Sequence, residues 1–188
     1  MTYTGMQALS RRTEERNGDD PARKKFLEDE IKDYIPFTSE VELTNKPDWD
    51  SSSPTLVAEF NLKVTGWVTP AGRRQLIAIG LFGKEERHTF EAAARVNPVY
   101  FYFPYQVADD VTVDLPPNWQ ATLPKVQTLG SKIIGYAFTA DNKGSALHWT
   151  RQFTVNTLLL PKEYYSSLRS LYQSVRTADE QQIVLSPI

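Results

Sequence analysis

Two stretches of this chain alternate apolar and polar side chains around a turn-rich tip, and that pattern constrains the fold most. Residues Lys132 to Ala140 and Ser145 to Thr157 flank Asp141-Asn142-Lys143-Gly144. A period of two sends successive side chains to opposite faces of a strand, so the pattern predicts a half-buried hairpin and excludes a helix. Leu56, Ala58, Phe60, Leu62 and Val64 repeat the signature against Glu59, Asn61, Lys63 and Thr65. Gln75 to Phe82 returns as a nearly all-apolar strand beyond the Thr69-Pro70-Ala71-Gly72 turn, which predicts a second long hairpin.

Other strands are shorter. Val41 and Leu43 alternate with Glu40, Glu42 and Thr44, and the loop Lys46 to Pro54 follows. Val96 to Tyr105 reads as a strand with Val99, Phe101 and Phe103 on one face and Tyr100 and Tyr102 on the other. Val111, Val113 and Leu115 form the next, closed by Pro116-Pro117. Gly83 to Ala94 fits neither period.

Helical periodicity sits near the two ends. Met1 to Asp20 is a polar arm with room for a short helix. Asp20-Pro21 then opens a helix, with Asp as cap and Pro in the first turn. Phe26, Leu27, Ile31, Tyr34 and Ile35 make its apolar stripe, Lys24/Glu28, Lys25/Asp29 and Glu28/Lys32 its charged face, and Pro36 its end. Pro161 to Thr177 is a second helix with Tyr164, Leu168, Leu171, Tyr172 and Val175 on one face, and Gln182 to Leu185 returns as a strand at a sheet edge. The predicted fold is mainly β: an antiparallel β-sandwich with one helix near the N-terminus and one near the C-terminus. Residues 1–36 form an N-terminal arm and helix, and residues 37–188 the sandwich with its C-terminal helix, together one structural unit.

The chain is poor in the residues most chemistry needs. It has 0 Cys and 2 His, His88 and His148, among 188 residues. No phosphate loop, dinucleotide fingerprint or metal-binding helix replaces them. Lys+Arg of 21 against Asp+Glu of 23 gives a net charge of −2, which argues against a nucleic-acid binder. No run approaches the roughly 20 apolar residues of a membrane helix, and Met1 to Arg12 lacks the apolar core of a signal peptide.

Several residues nonetheless merit weighing. Glu85, His88 and Glu91 would share a helix face, but two carboxylates and one imidazole in a charged loop make a poor metal site. His148 could join Ser145 or Ser131 and Asp141 in a triad, yet no nucleophile elbow accompanies it. Asp109-Asp110 and Asp48/Asp50 lack the alternating oxygen ligands of a calcium loop, and nothing singles out a glycosidase carboxylate pair. Arg151 shares strand parity with Leu147, Trp149, Phe153 and Val155. The favoured reading is an edge position from which its head snorkels to water; the alternative is a buried pair with Asp110 or Asp114. Tyr100, Tyr102 and Tyr105, with Trp67 and Trp119, could form an aromatic platform for a ligand, although the same rings suit burial beneath a helix.

A resemblance rests on short segments in order: Tyr3-Thr4-Gly5, ARKKFLEDEIKDYI, RVNPVYFYFPY, the Leu115-Pro116-Pro117-Asn118-Trp119 corner with Leu123-Pro124, the helix YYSSLRSLYQSV, and Asp179 to Leu185. In these the chain resembles the C-terminal β-rich region of bacterial proteins of unknown function that carry a transglutaminase-like, papain-type core. That family's catalytic Cys, His and Asp lie in the core, upstream of such a region, and a chain without Cys has no position to receive the nucleophile. The resemblance therefore implies a non-catalytic accessory module of a larger exported protein, periplasmic or extracellular. Its partner would be the transglutaminase-like domain of the same polypeptide, with no cofactor and no metal. The alternatives are a carbohydrate-binding module with Tyr100, Tyr102, Tyr105 and Trp119 as ligand-binding residues, a protein-binding surface, and a hydrolase of unrecognised type.

Overall fold

The computed structural model describes residues 1–35, 37–80 and 89–188. They are mainly β-strands in antiparallel sheets, with three α-helices. Two compact units divide between Gly66 and Trp67, and the helix grouped with the N-terminal arm lies in the first of them together with the strands up to Thr65.

In the unit Met1–Gly66, β1 (Thr2–Thr4) pairs with β3 (Thr55–Val57), and β2 (Thr38–Leu43) pairs with β4 (Phe60–Thr65). Two helices, α1 (Met6–Glu14) and α2 (Asp20–Tyr34), complete it. Its core gathers Tyr3, Ala8, Leu27, Leu43, Trp49, Leu56 and Ala58, with Phe26 and Phe60 against it. Arg11 forks onto the Glu30 carboxylate and lies over the Tyr3 ring, which itself donates to Glu30 Oε2 at 3.2 Å. Arg12 holds the following loop by donating to the carbonyls of Asp48, Ser53 and Thr55.

The cap of α2 is Asp19, one residue earlier than its sequence suggests: the carboxylate accepts from the Ala22 N–H at 2.9 Å and Pro21 sits in the first turn. Asp19→Ala leaves that N–H to water, and a drop of about 1 kcal/mol in unfolding free energy, read by urea denaturation, is expected.

In the unit Trp67–Ile188, one sheet has the order β10 (Gln127–Gly130), β11 (Ile134–Lys143), β12 (Ala146–Val155), β8 (Tyr105–Asp114). The second has the order β5 (Val68–Ala71), β6 (Arg74–Ala78), β14 (Gln182–Pro187), β9 (Trp119–Thr122). The hairpin β11–β12 forms as its alternation requires, paired from Ile134↔Val155 to Lys143↔Ala146. Its turn is Gly144-Ser145, with Gly144 at a positive φ of 67°, the left-handed first position of a type II′ turn. Inward residues of both sheets, such as Ile134, Phe138, Trp149, Phe153, Ile77, Ile183 and Leu185, join one core with Tyr165, Leu168, Tyr172 and Val175 of α3 (Tyr165–Asp179). Each such fully buried side chain contributes roughly 1.5–3 kcal/mol.

Three expectations are corrected. The long hairpin of Leu56–Val64 with the strand from Gln75 does not form among the described residues, which leave out Leu81 and Phe82: β4 pairs with β2, while β6 turns back on β5 through Gly72. Alternation specifies faces but not partners, and Pro70, with no N–H to give, suits the edge strand that β5 is. Val96 to Tyr105 is no continuous strand; only Val99–Tyr100 (β7) is, and the chain breaks at Tyr102 before β8 begins. Finally, β14 is an inner strand between β6 and β9, not an edge.

Candidate functional site

The break at Tyr102 creates the most unusual surface of this unit. β7 pairs with β13 (Leu159–Leu160), placing Leu159 opposite Tyr100. Side chains here alternate sharply in environment. Val99 is buried, and Phe101 packs on the core with its ring edge-to-face to Phe90, centroids 6.2 Å apart. Tyr100 and Tyr102 stay 58% and 76% exposed, and Leu159 is exposed beside them. The two tyrosine rings stand 5.0 Å apart with planes at 55°, a tilted pair and not a closed stack. Tyr102 has φ of 58°, the left-handed region that disfavours a residue with a Cβ. The Phe101 N–H donates to the Leu158 carbonyl at 2.9 Å and pins the segment. No hydrogen bond among the described residues engages either phenol oxygen.

The other expected platform residues lie elsewhere. Tyr105 is half-buried and its ring leans on Phe153 at 6.4 Å. Trp119 opens β9 and packs against the core. Trp67 tilts against Trp149 and donates its indole N–H to the Ala78 carbonyl at 3.0 Å. The expectation that a helix covers the Tyr100/Tyr102 face is also corrected, because α3 packs instead on Phe153 and Phe90 through Tyr172.

A second polar constellation is internal. Arg151 is fully buried, against the expectation of a snorkelling edge residue. Its Nε and Nη2 donate to Oδ1 and Oδ2 of Asp179, each at 2.7 Å, and Tyr136 donates its hydroxyl to Asp179 Oδ1 at 2.9 Å. The guanidinium also lies 5.5 Å from the Tyr136 ring centre. The buried-pair alternative named the wrong acids: Asp110 and Asp114 point outward, while Asp109, opposite Arg151 on β8, and Asp179, in the last turn of α3, are the partners. Asp109 Oδ2 stands 3.6 Å from Arg151 Nη1, too long for a hydrogen bond, and has no hydrogen-bond partner.

Burial pushes the Asp109 carboxyl above its ordinary range, and the nearby Asp179 adds to this while Arg151 opposes it. A raised folded value gives stability that is present below the unfolded value and lost as pH rises through the folded one. Relative to Asp109→Asn, the native chain is therefore expected to be more stable at pH 4 than at pH 7. Urea midpoints of both proteins at the two pH values measure this; an equal difference at both would refute the raised value.

His148 lies on the outward face of β12, between carboxylates of the flanking strands. Nδ1 is 3.1 Å from Asp141 Oδ1 and Nε2 is 2.9 Å from Asp110 Oδ1. Both ring nitrogens face acceptors, so the imidazole orders a strand surface and leaves no nitrogen aimed at a serine. Ser131 Oγ accepts from the Ile133 N–H at 3.1 Å, and Ser131 lines an open depression of about 440 Å³ on the same sheet together with Gly130, Gly135 and Ala137. Asp48 accepts from the Ser51 N–H, and Asp50 lies 3.4 Å from Arg23. Among the described residues no three His, Cys, Asp or Glu converge as a metal site needs. His88 and Glu85 lie outside the described residues. No described helix is long and apolar enough to cross a membrane.

Comparison with known proteins adds the following. Residues 75–185 match the family DUF3858, described as a domain of unknown function with a solved structure. The match covers the RVNPVYFYFPY segment, the Leu-Pro corners, the YYSSLRSLYQSV helix and the strand after it, whereas Tyr3-Thr4-Gly5 and the charged helix lie outside it. No curated protein matches the chain. A crystal structure at 2.00 Å of a Parabacteroides distasonis protein, proposed to be a protease, is similar at 18% identity and a TM-score of 0.47. The likeness covers 63% of this chain and 22% of that protein, so this chain spans a small part of its length.

Proposed function

The chain belongs to the DUF3858 family, and we propose that it serves as a non-catalytic accessory module that binds through its surface and holds a substrate for a transglutaminase-like domain of the same, exported polypeptide. The observation that carries this reading is the Tyr100/Tyr102 pair. Two large rings are held out to solvent, one on a strained backbone, beside a core that could have buried them. The polar clusters support the same reading. The Arg151 network is turned inward and serves the docking of α3, and His148 is occupied on both nitrogens. Neither sets a nucleophile against a base as covalent catalysis requires.

The coding sequence upstream of the Thr2 codon tests the accessory role. An open frame that runs into a cysteine-containing core is expected. An independent start with its own ribosome site would contradict it.

A further inference from the structure

We infer that the Tyr100/Tyr102 pair is a subsite for a neutral oligosaccharide; this rests on the binding role proposed above and names its ligand class. Four features of the surface fit that chemistry. The rings are tilted and not stacked, so each keeps one face open to the C–H face of a pyranose. Among the described residues their phenol oxygens have no hydrogen-bond partner and can trade water for ligand hydroxyls. The two segments that build the surface, Val96 to Gln106 and Val155 to Pro161, carry no charged residue between Arg95 and Lys162 at their outer ends, which suits an uncharged ligand.

The fourth feature is preorganisation. Val99 and Phe101 anchor the segment from beneath, the Phe101 N–H is tied to Leu158, and Tyr102 is fixed in the left-handed region. A backbone already fixed in place loses little entropy when a ligand stacks on the rings it carries. A glycine would adopt the Tyr102 backbone without strain. An exposed tyrosine at this position, 76% accessible on a left-handed backbone, points to a role for its ring.

Calorimetric titration of the full chain with uncharged oligosaccharides tests this, using gluco-, xylo-, manno- and chito-oligosaccharides as probes. One class is expected to bind. Tyr100→Ala and Tyr102→Gly are each expected to weaken it at least tenfold, and Leu9→Ala, an exposed apolar change in the other unit, to leave it unaltered. Tyr102→Gly is expected to keep the unfolding midpoint of the native chain, which separates lost binding from lost folding. Failure of every probe, or an affinity unchanged from the native chain in both tyrosine variants, overturns the inference. If the two rings instead respond to another segment of the same polypeptide, the accessory role stands and the glycan falls.

Discussion

Asp179→Ala should lower the unfolding free energy of the Trp67–Ile188 unit by about 3–5 kcal/mol, the scale for removing one partner of a buried ion pair. Arg151 would keep its buried charge and lose its two hydrogen bonds to Asp179, and the Tyr136 hydroxyl would lose its acceptor. Asp109 cannot compensate, because its Oδ2 stands 3.6 Å from the guanidinium and makes no hydrogen bond. The physics also implies a rescue. Replacing the whole cluster with apolar residues removes the desolvation cost along with the attraction. Arg151→Met with Asp109→Leu and Asp179→Leu should therefore recover much of what the single change loses. Urea unfolding followed by tryptophan fluorescence reads all three proteins. A loss under about 1 kcal/mol for Asp179→Ala would mean that the cluster does not hold α3 to the sheet.

Phe153→Ala is expected to cost about as much, roughly 3–5 kcal/mol, by a different route. Phe153 is fully buried in β12 and sits between Tyr105 and Tyr172, with ring centres 6.4 and 5.3 Å away. Truncation would open a cavity between the sheet and α3, and two large rings cannot easily collapse into it. Thermal denaturation by circular dichroism measures the effect. Tyr102→Ala, an exposed ring of similar size, should shift the same transition very little, which separates burial from ring chemistry.

What could be read from the sequence follows the range of the interactions involved. The β11–β12 hairpin and α3 were legible because alternation and a stripe at helical spacing are local signals. The pairing of β4 with β2 was not, since a strand's faces are written in its own residues but its neighbour is not. The Arg151 cluster had signals that went unused. Asp179 lies in the last turn of a helix, where the macrodipole disfavours an acid, so it called for a cation elsewhere. Asp109 interrupts the row Tyr105, Val107, Val111, Val113 on β8, and it falls opposite Arg151 once that strand is taken from Tyr105. The Tyr100 and Tyr102 face was identified from strand parity alone. The packing of Tyr105 on Phe153 and of Trp119 on the core was not, because it is set by tertiary contacts that strand parity does not record.

Ring-selective labelling of the 9 tyrosines with 13C, followed by NMR during titration with the oligosaccharide class that binds, shows whether Tyr100 and Tyr102 meet the ligand. Two ring resonances, those that vanish in the Tyr100→Ala and Tyr102→Ala variants, are expected to move with ligand while those of buried Tyr136 and Tyr172 stay fixed. Unmoved Tyr100 and Tyr102 signals at a concentration where calorimetry shows saturation would contradict it, and would place recognition on another face.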